Sequence, residues 1–99
     1  MSKNPLDTIT KLDPELYNNI SSSVKISLED GALSKKYKLL IAMALDASHG
    51  TVDGVRSLAM QALANGASKE EIMETIRVTN FISGVGSVYV AANALKDIL

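Results

Sequence analysis

Ala64-Asn65-Gly66-Ala67-Ser68-Lys69-Glu70-Glu71-Ile72 ends one helix and begins the next with almost nothing between them. Asn65-Gly66 is a stop signal, with Gly66 suited to the left-handed position after a helix C-terminus. Ser68-Lys69-Glu70-Glu71 has the capping-box pattern. The Ser68 hydroxyl accepts from the backbone N–H three residues on, and the Glu71 carboxylate reaches back to the N–H of Ser68. Ala67 and Ile72 flank the box as a small hydrophobic staple. The strongest local signals in the chain therefore belong to helices.

Reading outward from this junction gives five helices. The one before it runs from about Thr51 to Asn65, with Val55, Leu58, Ala59, Ala62 and Leu63 on one face. The one after it points Ile72, Met73 and Ile76 inward, with Phe81 further along. Gly84-Val85-Gly86 then turns the chain into a last helix from about Ser87 to Ile98. Upstream, Asp13 is a good N-cap, Pro14 fits the first helical position and Glu15 complements the helix dipole. Leu16, Ile20, Val24 and Leu28 continue from there at helical spacing, and Gly31 closes the segment. A second helix starts at Ser34 and carries Leu39 to Leu45, apolar on every side. A helix apolar all round is buried, here as the central helix or under a second subunit. Strand signals are poor. The expected fold is all-α and a single domain over 1–99, with 1–11 as a flexible N-terminus.

Composition removes several functions. The chain of 99 residues has no cysteine, which excludes disulfides, Cys-ligated zinc and thiol chemistry. A formal charge of −1 supplies no pull toward nucleic acid or an anionic membrane surface. Four aromatic rings (Tyr17, Tyr37, Phe81 and Tyr89) cannot build a base-stacking platform. The longest apolar run is far short of the roughly 20 residues of a membrane span. The N-terminus lacks the apolar stretch of a targeting signal. A cytoplasmic protein that binds neither nucleic acid nor membrane is expected.

Two motif fragments dissolve on inspection. Gly84-Val85-Gly86 follows a helix rather than a strand and lacks the third glycine of a dinucleotide loop, so it reads as a helix–helix turn. A helix-turn-helix reading of the segment after Ser68 fails because Glu70, Glu71 and Glu74 would face phosphate. The main polar constellation is Asp46, His49 and Asp53. On one continuous helix these would lie within about 60° of each other. An imidazole with two carboxylates suits general-base catalysis or a divalent metal. If Gly50 breaks the helix, the same charges simply complement two helix dipoles. No metal and no cofactor are expected. Arg77 is a candidate clamp for a carboxylate, with Glu74 and Asp97 as alternative ion-pair partners. Tyr89 is a second candidate substrate contact.

Leu12-Asp13-Pro14-Glu15, Gly31-Ala32-Leu33-Ser34, Leu39-Leu40-Ile41-Ala42 and the Ala64–Ile72 junction, in this order and spacing, resemble the carboxymuconolactone decarboxylase family, the AhpD-like group. The resemblance extends from about Leu12 to Leu95. It implies a helical protomer that forms homo-oligomers, commonly trimers or hexamers. The Ala-rich and uniformly apolar helices agree, because they offer more apolar surface than five short helices can hide.

The redox branch of that family carries Glu-x11-Cys-x2-Cys-x3-His. Aligned on the junction, these positions are Leu39, Thr51, Gly54 and Leu58 here, so dithiol peroxidase chemistry is not available. The lactone-decarboxylase branch implies an acidic position near Asp53 and a basic one near Arg56, but its histidine again falls on Leu58. His49 lies nine residues earlier. The expected chemistry is proton transfer on a small organic acid or lactone. His49 is the base, Asp46 or Asp53 orients it, and Arg77 and Tyr89 hold the substrate. The alternative is a non-catalytic binding or scaffold homo-oligomer that has lost the family site.

Overall fold

In the computed structural model, which describes residues 4–99, caps and glycines partition the chain into α1 (Asp7–Leu12), α2 (Pro14–Leu28), α3 (Lys35–His49), α4 (Val52–Ala64), α5 (Lys69–Ser83) and α6 (Val85–Leu95). The described residues contain no strand. The last five helices answer to the five expected from the sequence. Helix α1 is an addition, lying within the segment expected to be a flexible N-terminus. The expectation for residues 1–3 lies outside the described residues.

Each boundary has an identifiable cause. Leu16 donates its backbone N–H to the Asp13 carboxylate at 3.0 Å, and Pro14 follows at the start of α2. Ser34 precedes α3 but makes no side-chain cap. The Asp30 carboxylate accepts the Lys35 N–H instead, at 2.7 Å. Gly50 ends α3 with φ at 82°, a left-handed conformation that L side chains rarely adopt. Gly66 plays the same part between α4 and α5 with φ at 95°. The capping box forms as expected: Glu71 donates its N–H to Ser68 Oγ at 3.0 Å, and Ser68 donates its N–H to Glu71 Oε1 at 2.8 Å. Helix α6 starts directly after Gly84, two residues before the expected Ser87.

The core lies where α3, α4, α5 and α6 meet. Helix α3 contributes Leu39, Leu40, Met43 and Ala47; α4 adds Val55, Ala59 and Ala62. Ile72 and Ile76 come from α5, and Ala91, Ala94 and Leu95 from α6. The alanines of α4 and α6 let helix backbones approach closely, so the larger side chains of α3 fill the space between them. Leu39, Met43, Val55 and Ile72 are the largest fully buried side chains. Burying each is worth roughly 1.5–3 kcal/mol. Two hydroxyls enter the core satisfied: Thr79 Oγ1 donates to the Thr75 carbonyl at 2.8 Å, and Ser87 Oγ to the Gly84 carbonyl at 2.6 Å.

Three expectations need correction. Met73 and Phe81 do not point inward; Phe81 is 84% exposed, because α5 turns that part of its face past the edge of the core. Of the two alternatives for α3, a central helix buried on every side within its own chain does not form, since Ile41 and Leu45 are about half exposed; cover by a second subunit is the other. Arg77 makes no ion pair with Asp97. Arg56 takes that carboxylate, at 3.8 Å, and also donates to the Ala94 carbonyl at 3.3 Å.

Helices α3 and α5 run side by side in the same direction. Lys36 Nζ donates to Glu71 Oε2 at 2.9 Å near their starts, while Ser48 shares a groove with Ile82 and Ser83 near their ends. The Ser68 backbone N–H, and next the Lys36 ammonium, hold the Glu71 carboxyl below its usual range. The hydrogen bond to Glu71 in turn raises Lys36. A depressed carboxyl stabilises the fold above its unfolded value, and the contribution is lost as pH falls through the folded value. The raised Lys36 contributes below its unfolded value and loses that as pH rises through its own folded value.

Glu71→Gln keeps the capping geometry and removes the charge. We expect it to lower the melting temperature at pH 7, with the gap to the parent narrowing once the solution falls below about pH 4. Ser68→Ala removes the cap itself and should cost about 1 kcal/mol in urea unfolding.

Candidate functional site

Gly50 decides the geometry of the candidate residues. Because α3 stops at His49 and α4 starts at Val52, the continuous helix that would align Asp46, His49 and Asp53 does not form. His49 occupies the last position of α3 and Asp53 the first turn of α4. The Asp53 carboxylate complements the dipole at the start of α4. The corner is tied by backbone bonds, the Thr51 N–H donating to the Asp46 carbonyl at 2.9 Å and the Gly50 N–H to Ala47 at 3.2 Å.

Asp46 is half-buried, whereas His49 and Asp53 are exposed. The Asp46 carboxylate packs over Gly54, so close that a Cβ on Gly54 would overlap it; the Thr51 methyl lies beside the same space. Thus the carboxylate takes the volume that any side chain at position 54 would need. Among the described residues no ion pair joins His49 to a carboxylate, and no three metal-binding side chains come together.

Arg77 and Tyr89 lie elsewhere. Arg77 is exposed on α5, lining an open groove of about 250 Å³ with Lys69, Glu70, Met73 and Glu74. The parallel register of α3 and α5 sets His49 level with about Ser83. Arg77 therefore sits about 9 Å short of the His49 level, measured along α5. Tyr89 projects from α6 and is 74% exposed. The structure brings Asp46, His49 and Asp53 to one corner and does not bring Arg77 or Tyr89 to it within one chain.

Leu39 and Leu58 also have clear placements. Leu39 is fully buried in the core, and half-buried Leu58 packs against it.

The largest of the described grooves was not anticipated from sequence. It holds about 410 Å³ between α3 and α5, lined by Tyr37, Leu40, Ile41, Ala44, Leu45, Thr75 and Val78. A second hollow of about 150 Å³ continues it past Ala44, Leu45 and Val78 to Ser48, Thr79, Ile82 and Ser83. The i, i+4, i+8 spacing of Tyr37, Ile41 and Leu45 was the available signal. It is masked in the sequence by the apolar residues on the other side of the same helix.

With this geometry in place, comparison with known proteins is informative. A sequence profile of the carboxymuconolactone decarboxylase family matches residues 14–97. The fold is similar to apo-lpg0406, a carboxymuconolactone decarboxylase family protein from Legionella pneumophila, with a TM-score of 0.86 and 34% identity. That match covers 92% of this chain and 81% of the Legionella chain. A comparison with curated proteins gives no match. The chain belongs to the carboxymuconolactone decarboxylase family. It is a member without cysteine, so its chemistry cannot run through a dithiol. No helix among the described residues is long and apolar enough to cross a membrane.

The Asp46–Gly54 packing makes a prediction by double-mutant cycle. Gly54→Ala alone should destabilise the fold by about 1–3 kcal/mol through overpacking. In an Asp46→Ala background the same substitution should cost far less, because the carboxylate it meets is gone. Equal costs in the two backgrounds, measured by urea unfolding, would show that the contact carries no energy.

Proposed function

We propose that this chain is a homo-oligomeric family member, a trimer or hexamer, that performs proton-transfer chemistry on a small organic acid or lactone at the α3–α4 corner. Decarboxylation and isomerisation are the reactions that fit. The observation that supports this is the exposed His49 ring at the end of α3, without an ion pair among the described residues and one helical turn from Asp46. Histidine exchanges a proton near neutral pH, and a neighbouring carboxylate can orient its ring and stabilise the charged form. Asp46 is better placed for that than Asp53, because its carboxylate is already confined over Gly54. Arg77 and Tyr89 serve as substrate contacts only across a boundary between copies. The cytoplasm is the compartment we infer.

A second reading has its own support. Leu39 and Leu58, at the positions where the resemblance implies proton relays, belong to or pack against the core, and the Asp46 carboxylate fills the space beside Gly54. A scaffold or binding oligomer that relaxed toward packing would look like this.

His49→Gln separates the two readings. Assayed against lactones and keto acids, loss of the base should lower turnover by about 10²–10⁴-fold with the melting temperature unchanged. Equal turnover in parent and variant removes His49 from the chemistry. An oligomer inert on every member of the panel supports the scaffold.

A further inference from the structure

Among the described residues two apolar surfaces are left uncovered, and they match in length. The first is the N-terminal arm. Neither α1 nor α2 contains a buried residue, although α2 runs for 15 residues with Leu16, Ile20, Val24 and Leu28 along one stripe. Leu16 and Val24 are about half exposed, and only Leu28 packs against the core. The radius of gyration is 14.3 Å, against about 13 Å for a compact chain of this length, as expected when an arm stands away from the body.

The second surface is the groove between α3 and α5. From Tyr37 to Ser48 it extends about 17 Å, while the α2 stripe from Leu16 to Leu28 extends about 18 Å. Two parallel helices leave a furrow that a third helix fills by ridges into grooves.

Charge supports the same pairing. No residue lining the continuous groove is charged; its edges are Ser48, Thr75, Thr79 and Ser83. Helix α2 has only Glu15 and Lys25 as charged residues, and small serines at 21–23 and 27 allow close approach. Bringing these surfaces together strands almost no charge away from water, as in the core of a stable interface.

The arm does not lie in its own groove, and its connection to α3 is held. Asp30 accepts the Lys35 N–H at 2.7 Å, Lys38 Nζ donates to the Glu29 carbonyl at 2.8 Å, and the Gly31 N–H donates to the Leu33 carbonyl at 3.0 Å. We propose that helix α2 of one copy docks in the α3–α5 groove of a second copy. This inference rests on the homo-oligomer reading above and specifies which surfaces meet.

The absence of cysteine makes the test direct. Val24→Cys and isotopically heavy Val78→Cys proteins are unfolded together, refolded as a mixture and mildly oxidised. Disulfides are then located by peptide mass mapping. Position 24 joined to position 78 between a light and a heavy chain is the expected main product. In parallel, Val24→Asp and Val78→Asp are examined by light scattering. Both positions are exposed within the chain, so helix content and melting of the separated chain should hold while the oligomer mass falls at least twofold. An oligomer whose mass survives both Asp substitutions, or a cysteine mixture whose main disulfide joins 24 to 24 or 78 to 78, overturns the docking and leaves self-association intact. A parent that is a single chain at every concentration overturns both.

Discussion

Helix α3 is ringed with apolar side chains, and its own chain covers only part of that ring. Leu39, Leu40, Met43 and Ala47 meet α4, α5 and α6, whereas Tyr37, Ile41 and Leu45 face outward beside α5. The helices that could complete the cover, α1 and α2, contain no buried residue and stand outside the core, so the body is one helix short. Everything else in the structure adjusts to this shortage. The alanines of α4 and α6 draw those helices close on the covered side, and the uncovered side becomes the apolar groove.

The same constraint explains the divided character of the molecule. The four packed helices form a body with a satisfied core, and no buried side-chain polar atom among the described residues lacks a hydrogen-bond partner. The α1–α2 arm contributes almost nothing to that core. Apart from Leu28, its apolar stripe lies outside that core. The ionisable corner at Gly50 lies off the α3–α5 groove: Ser48 lines its end, whereas the Asp46 carboxylate packs toward α4 over Gly54.

Legibility differed by kind of feature. The Ser68–Glu71 box, the Asp13–Pro14 start and the Gly66 stop were readable because each depends on side chains within a few residues of one another. The absence of a thiol site was readable from counting alone. Helix α1 was missed because a helix of six residues has too little apolar period to register. The inward direction assigned to Phe81 failed because helical spacing defines a face without saying where the neighbouring helix ends. Ser34 starts α3 as read, but the side chain that accepts a first-turn N–H is Asp30, at Lys35, across a bend that has no sequence period. The Asp46–Arg77 separation was invisible because it depends on the register between α3 and α5.

By itself the sequence determined the helical class, most helix limits, the family resemblance and the loss of dithiol chemistry. These follow from local hydrogen bonding, apolar periodicity and the inventory of side chains. Tertiary structure alone decided that Arg77 lies away from the Gly50 corner that holds Asp46, His49 and Asp53. It also decided which half of α3 is buried. The physical reason is that both outcomes depend on how helices distant in sequence approach one another. That approach is governed by side-chain volume and backbone reversal, to which a pattern along one helix is blind.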